Sequence, residues 1–332
     1  MSQTKNRKVW VDWMKTLGML TIIWGHCFPD GMSAFVYAFN VPVFFLISGY
    51  LTHQEASMKV CFEKTLHNLI IPYFILAFIK AAGYMFAHLS DGQWLWSVLA
   101  ILGGFHQLHD AYGCSNLWFV YSLILIKFIY QLLPNHRLLL SCLCIGGAVV
   151  YNQYESDLAW SAVNVLVALP FFMLGNYIAS QKRFEEINGR LMSMNWGLWM
   201  LLLVVCIALT YIISDWNDTA KMYEGHYGES LWLFSLASLT GSAIIYLLSV
   251  RLNGIDWKWV RISSLGSIVT LVFHRELLHT PIKLVKDSDM DIFSANLLLF
   301  LSSAIVLIAF VPIIMIVKRV FPVVLGRRAK NI

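Results

Sequence analysis

The sequence predicts an all-α membrane protein, a polytopic helical bundle of about ten spans with both termini in the cytoplasm. Three observations support this prediction. Of the 332 residues, 58% are hydrophobic and only 13% are charged, whereas about a quarter of the residues of a soluble domain are charged. Apolar runs long enough to cross a bilayer recur along the whole chain. Lysine and arginine concentrate in alternate connecting segments, as is typical of cytoplasmic loops.

The predicted spans follow from the thickness of the bilayer core, about 30 Å, which requires roughly 20 helical residues. The candidate segments are 14–30, 35–53, 68–88, 116–133, 138–152, 160–180, 195–213, 230–250, 262–280 and 293–317. The apolar stretch 94–108 contains Gly103, Gly104 and His106. We interpret it as interfacial or re-entrant, with an additional span as the alternative. The sequence predicts one membrane domain over residues 1–332, with no soluble domain attached.

The orientation of the bundle follows from the cations in the short loops. A cytoplasmic N-terminus puts nearly all of them inside: Lys5, Arg7, Lys8, Lys59, Lys64, Arg137, Lys182, Arg183, Arg190, Arg251, Lys258, Arg261, Lys318, Arg319, Arg327, Arg328 and Lys330. The outside loops contain only Lys221, Lys283 and Lys286. This distribution accounts for the net charge of +5 without a nucleic-acid partner. It predicts a multi-pass protein of the plasma membrane. In bacteria this is the inner membrane.

The first predicted span contains ionisable side chains, which are costly in lipid unless they are paired or face a cavity. Lys15 and His26 are eleven positions apart, so they lie about 20° apart around the helix and about 16 Å apart along it. Asp12 lies one turn before Lys15 and can pair with it. One helix face therefore carries a cation near the cytoplasm and an imidazole within the membrane. Alternatively, Lys15 snorkels to the headgroups and His26 only hydrogen-bonds a neighbouring helix.

Two further spans carry polar side chains. In the second, Ser48 and Gly49 are explained on physical grounds by ordinary close packing of small residues. In the ninth, Arg275 and Glu276 are adjacent, so they point about 100° apart and cannot both face lipid cheaply. An internal ion pair accounts for these two as well as a catalytic role does. His274 lies beside them.

The common signatures of nucleotide and metal chemistry are missing. The sequence has no Gly-rich phosphate loop ending in Lys-Ser/Thr, no His-Glu-x-x-His helix and no Gly-x-Ser-x-Gly elbow. His106 and His109 are three positions apart, but no convincing third metal ligand accompanies them. The six cysteines lack metal-type spacing and lie mostly in apolar runs. We predict no metal and no tightly bound cofactor.

The polar residues of the first two spans resemble motifs of the acyltransferase-3 family, integral membrane enzymes that O-acylate sugars and other cell-surface molecules. The family's first span has an arginine, ten residues and a histidine, and Lys15 and His26 keep this spacing with lysine for arginine. Asp12 with Lys15 is similar to a branch that includes fucose O-acetylase-like proteins, although Asn40 stands where that branch has histidine. The other matches are Pro42, Phe44, Phe45, Ser48, Gly49 and Tyr50 in the second span, Lys64 with 71–73, 116–119, 170–175, Ser264 and His274.

The resemblance implies transfer of an acyl group, most simply acetyl, from cytosolic acyl-CoA to a hydroxyl of a cell-surface glycan or a lipid-linked sugar. It implies that His26 is the general base or a transient acyl carrier, with Arg275 and Glu276 as further catalytic residues. The donor site is expected to contain Asp12, Lys15 and Lys64. The acceptor pocket is expected to contain Asn40, Ser48, Tyr50, Asn116, Trp118 and His274.

Two other functions stay open at the level of sequence. The same intramembrane histidine, lysine and glutamate side chains suit a proton- or ion-coupled transporter, although no inverted repeat is visible. The third hypothesis is a structural membrane partner without chemistry. The density of aligned polar side chains argues against it.

Overall fold

A computed structural model describes residues 7–104, 116–151 and 161–326. Within these ranges the chain is helical and contains no β-strand, only an isolated bridge between Lys221 and His226. The helices are α1 (Val9–Gly25), α2 (Ser33–Phe39), α3 (Pro42–Leu51), α4 (Met58–Thr65), α5 (Ile71–Ala87), α6 (Trp94–Gly103), α7 (Trp118–Leu132), α8 (Arg137–Tyr151), α9 (Ala162–Ser180), α10 (Lys182–Met192), α11 (Trp196–Asn217), α12 (Leu231–Arg251), α13 (Lys258–Leu265), α14 (Ser267–Lys286) and α15 (Ile292–Val320). A π-helical turn spans Leu66–Ile70, and 3₁₀ turns span Met222–Glu224 and Pro322–Leu325. The all-α fold class is confirmed.

Every predicted span contains a helix, but the helices differ in length. Six stretches are long and apolar enough to cross a membrane: Ser33–Leu51, Met58–Ala87, Ala162–Ser180, Trp196–Asn217, Leu231–Arg251 and Ile292–Val320. By contrast, α7 and α8 have 15 residues each, and such a helix rises only about 22 Å. The described residues support a multi-pass protein, whereas ten crossings stay a prediction. In the stretch 94–108, α6 ends at Gly103, and residues 105–108 lie outside the described residues.

Large apolar side chains are exposed along two of the long apolar helices, α11 and α15. Leu201 and Val204 on α11 and Ile305 and Ile316 on α15 are examples. Exposed apolar stripes of this extent are unfavourable in water. They fit a hydrocarbon surrounding, in which only helices and closed barrels satisfy their backbone hydrogen bonds.

Helix α1 is largely buried because α2, α3, α12, α13, α14 and α15 pack around it. The Trp10 N–H donates to Asn253 Oδ1 at 3.0 Å, and Trp13 Nε1 donates to the Ile255 carbonyl at 2.8 Å. The start of α1 therefore lies beside the end of α12. Because α12 runs back along the bundle, the loop 218–230 that precedes it lies at the opposite end, near His26.

Helices α3 and α9 cross at two glycines. A Cβ atom on Gly49 would lie 1.9 Å from the Phe172 carbonyl oxygen, and one on Gly175 would lie 2.0 Å from the Leu46 carbonyl oxygen. The side chain of Asn176 donates from Nδ2 to the Gly49 carbonyl at 3.3 Å. Close small-residue packing is therefore the role of Gly49.

Candidate active site

Two histidines that are distant in sequence meet at the end of α1. Nε2 of His274 lies 2.9 Å from Nδ1 of His26, and the ring centroids are 4.8 Å apart. His26 directly follows the last residue of α1. His274 lies on α14 and is completely buried. The structure thus brings together two of the predicted site residues.

Backbone carbonyls determine which nitrogens of this pair carry hydrogen. Nδ1 of His274 is 2.9 Å from the Thr270 carbonyl, which can only accept, so Nδ1 donates and Nε2 accepts in the neutral ring. Nδ1 of His26 is 3.0 Å from the Ile22 carbonyl, so this nitrogen also carries a hydrogen, which it shares between the Ile22 carbonyl and Nε2 of His274. Nε2 of neutral His26 is then unprotonated, as a general base requires.

The His26 ring borders a small cavity of about 70 Å³. Its lining combines polar and aromatic side chains: His26, Asn40, Asn116, Arg275, Tyr37, Trp118, Phe119 and Tyr223. Asn40 is 3% exposed, and its Oδ1 has no hydrogen-bond partner among the described residues. A buried acceptor without a partner costs free energy, about 1–3 kcal/mol, and a ligand with a donor group would recover it. We call this space the imidazole cavity.

A larger cavity of about 530 Å³ lies towards the start of α1. Four cations line it, Arg7, Lys15, Lys127 and Arg261, and Asp12 is the acidic side chain among its described lining residues. Its other walls are mostly apolar. We call this space the cationic cavity. Its charge and size suit a long, anionic, partly apolar ligand.

Ion pairs arrange the charges at the mouth of the cationic cavity. Asp12 forms an ion pair with Arg7 and accepts a hydrogen bond from Ser264 Oγ at 2.5 Å. Arg261 Nε donates to Asp256 Oδ1 at 2.7 Å, and this hydrogen bond lowers the pKa of the Asp256 carboxyl. Asp256 therefore stays ionised at neutral pH and holds the Arg261 guanidinium in place.

The two cavities adjoin along one face of α1. The face runs from Lys15 in the cationic cavity, through Ile22, to His26 in the imidazole cavity. Ile22, Phe119 and Leu271 line both cavities, so a ring of three apolar side chains separates them. One face of α1 therefore leads from the cationic cavity to the His26 imidazole.

Other predicted site residues lie elsewhere. Ser48 lines the cationic cavity, not the imidazole cavity. Three residues line neither cavity and have other partners: Glu276 forms an ion pair with Lys80, Lys64 with Glu55, and the Tyr50 hydroxyl accepts from Lys8 at 2.5 Å. The roles predicted for these residues stay predictions.

Sequence reasoning missed three cations of the larger cavity: Arg7, Lys127 and Arg261. Arg7 and Arg261 were used only to orient the chain, because loop cations carry that signal by themselves. Lys127 could have been predicted to line a cavity, since a lysine inside an apolar span needs a partner or a cavity. No group of three metal-ligand side chains occurs in the described parts of the chain, and His106 and His109 lie outside them.

Comparison with known proteins adds one finding. The profile of a family described as an acyltransferase domain matches residues 8–318. Curated protein sequences give no significant match, and solved structures give none either. The matched range runs from the residue before α1 into α15, so it contains every residue that lines the imidazole cavity.

Proposed function

Because the chain belongs to the acyltransferase-3 family, we propose that it moves an acetyl group from cytosolic acetyl-CoA to a hydroxyl of a carbohydrate. The observation that supports this most is the pair of adjoining cavities, one lined by four cations and one lined by the His26 imidazole. An acyl-CoA donor matches this arrangement, since it carries phosphates at one end and a thioester at the end of a long arm. Acyltransferase activity in a membrane is the coarser statement that the family supports.

The donor occupies the cationic cavity in this proposal. Its phosphates meet Arg7, Lys15 and Arg261 near the start of α1, where guanidinium and ammonium groups bind phosphate oxygens. The pantetheine arm lies along the apolar walls. The thioester then reaches the ring of Ile22, Phe119 and Leu271, one helical turn from His26.

The chemistry is a direct acyl transfer. His26 Nε2 takes the hydroxyl proton while the hydroxyl oxygen bonds to the thioester carbonyl carbon. The C–S bond then breaks, and the leaving coenzyme A thiolate takes the proton from the imidazolium. The Arg275 guanidinium, which lines the same cavity, stabilises the negative charge on the carbonyl oxygen. In the alternative mechanism, His26 Nε2 attacks the thioester carbonyl carbon itself and displaces the coenzyme A thiolate. The acceptor hydroxyl then takes the acyl group from Nε2 and gives its proton to the thiolate.

The acceptor enters from the other end of the bundle. Asn40 and Asn116 offer amide groups for hydroxyls, and Tyr37, Trp118 and Tyr223 offer rings. Aromatic walls with a few placed polar groups suit a sugar. The acceptor class we propose is a cell-surface or exported glycan or its lipid-linked precursor, at the plasma membrane of a bacterium.

The orientation in this proposal predicts the accessibility of single cysteines. In a variant without native cysteines, Glu186→Cys and Ile255→Cys are expected to resist an impermeant thiol reagent in intact cells, because both lie at the cytoplasmic end. Lys221→Cys is expected to react, because it lies in the loop 218–230. Mass-shift labelling before and after lysis measures this. Reaction at 186 or 255 in intact cells would reverse the assigned direction.

Lys15→Met tests the donor site. The substitution keeps the aliphatic stem and removes the charge, so we expect the affinity for acetyl-CoA to fall by about 1.5–3 kcal/mol, roughly ten- to hundredfold. Lys15→Arg is expected to keep most of the affinity, because the charge is retained. Calorimetry or competition binding on purified protein measures the donor constant.

Two comparisons make the Lys15 result decisive. Lys182→Met removes an exposed cation on α10 at the same end of the bundle, and we expect no change in donor affinity. Asp12→Asn added to Lys15→Met separates loss of attraction from repulsion by Asp12, since repulsion predicts partial recovery. An unchanged donor constant for Lys15→Met would remove Lys15 from the site.

A proton- or ion-coupled transporter is not favoured, because the family match supports acyl transfer. Purified protein given labelled acetyl-CoA and an extract of cell-envelope carbohydrate separates the two functions. The proposal expects release of free coenzyme A thiol that depends on the carbohydrate. A transporter leaves the thioester intact, and this outcome would reject the proposal.

A further inference from the structure

The ring of side chains between the two cavities has a feature that concerns the acyl group. Each member lies close to a polar residue of the imidazole cavity. The Ile22 carbonyl contacts His26, and the Leu271 carbonyl accepts from Asn116 Nδ2 at 3.3 Å. Phe119, in the first turn of α7, comes three residues after Asn116, which precedes this helix. The side chains of Ile22, Phe119 and Leu271 are therefore fixed directly next to the reacting imidazole.

Phe119 is held by other aromatic rings. Its ring centroid lies 4.7 Å from that of Phe45 and 6.0 Å from that of Phe44, and Trp118 adds a perpendicular contact at 6.3 Å. A ring packed on three neighbours cannot swing aside without repacking them, and rearranging a packed core is costly. Ile22 and Leu271 are buried, with 5% and 7% exposure. All three walls are therefore stiff.

The space on the His26 side of Ile22, Phe119 and Leu271 is small. The imidazole cavity measures about 70 Å³, and by this measure one water needs about 10–15 Å³, so the cavity holds about five waters. An acetyl group and an attacking hydroxyl fit into such a space. A hexanoyl group adds four methylenes, which the stiff walls cannot accommodate without strain.

We propose that Phe119, with Ile22 and Leu271, sets the length of the acyl group that the protein accepts. Phe119 is the main determinant, because it is the largest of the three and contributes a ring to both cavities. This inference rests on the proposed function, since it takes an acyl-CoA in the cationic cavity as its premise. The chemical class selected is a short acyl group.

Non-reactive thioethers of coenzyme A test the inference by binding alone. The probes are free coenzyme A and its S-ethyl, S-butyl and S-hexyl derivatives, titrated into purified protein. We expect the unmodified protein to bind the S-ethyl form at least tenfold more tightly than the S-hexyl form. Phe119→Ala is expected to reduce this ratio below threefold, because the missing ring opens the wall towards both cavities.

Controls keep the result interpretable. Phe128→Ala removes a ring on the same helix that stacks on Phe62 and lines neither cavity, and it should keep the tenfold ratio. Phe119→Leu retains an apolar side chain if the alanine variant unfolds, and we expect it to give an intermediate ratio. The thermal midpoint of each variant identifies unfolded protein.

The possible failures are distinguishable. If free coenzyme A binds and the unmodified protein shows no preference among the thioethers, the length inference is overturned while the donor site stands. A preserved tenfold ratio in both Phe119 variants also overturns it. If free coenzyme A itself does not bind, the proposed function fails and takes this inference with it.

Discussion

Replacing His26 with alanine is expected to reduce acyl transfer by at least about a hundredfold, with about ten-thousandfold as the upper range for a general base. The reason is that the variant has no Nε2 at the junction of acceptor and thioester. We do not expect the His274 ring to substitute, because it is completely buried and does not line the imidazole cavity. The initial rate of thiol release from acetyl-CoA, per folded molecule, measures the effect.

A folding defect must be separated from a catalytic one. His26→Ala leaves the buried His274 Nε2 without its donor, at a cost of about 1–3 kcal/mol. His26→Gln keeps an N–H group for this contact but cannot act as a base. His279→Ala is the matched control, since His279 is exposed on the same helix as His274. If His26→Gln retains activity within a fewfold of the parent, the general-base role is wrong.

Replacing Gly49 with alanine is expected to destabilise the protein by about 3 kcal/mol or more, at the upper end of overpacking effects. The new Cβ would lie 1.9 Å from a backbone oxygen of α9, so the helices must separate. Separation also lengthens the hydrogen bond from Asn176 to the Gly49 carbonyl, now 3.3 Å. The midpoint of thermal unfolding in detergent measures the loss.

Gly83→Ala provides the comparison for Gly49→Ala. Gly83 is a helical glycine on α5, and nothing lies within 4 Å of a Cβ built there. Alanine favours helix by about 0.5–1 kcal/mol over glycine, so we expect unchanged or raised stability. Equal stability of both variants would mean that α3 and α9 do not cross as closely as described.

Local sequence patterns predicted those features of the site that depend on helical periodicity. The spacing of Lys15 and His26 predicted a common face, and both residues line the path along α1. Because Arg275 and Glu276 are adjacent, their side chains were predicted to face different surroundings. Arg275 lines the imidazole cavity, whereas the Glu276 side chain is 56% exposed and forms an ion pair with Lys80.

Features that depend on tertiary packing were not predictable in the same way. The His26–His274 contact joins residues 248 positions apart, and periodicity within one helix contains no information on its partner. The Asp12 carboxylate contacts two side chains that the helical spacing did not predict, Arg7 and Ser264, of which Ser264 is distant in sequence. Phe119 belongs to the stretch 116–119 that resembles the family, but that resemblance gave it no role, and an aromatic side chain in an apolar span is ordinary.

The most direct test of the account is the transfer of labelled acetyl groups in sealed vesicles of the plasma membrane. Acetyl-CoA does not cross the membrane, so the donor reaches only the face that is exposed to the medium. Inverted vesicles, whose cytoplasmic face is outside, are expected to incorporate alkali-labile label into carbohydrate, while right-side-out vesicles and His26→Ala vesicles are not. Equal incorporation from both vesicle types, or label in carbohydrate without His26, would contradict the account.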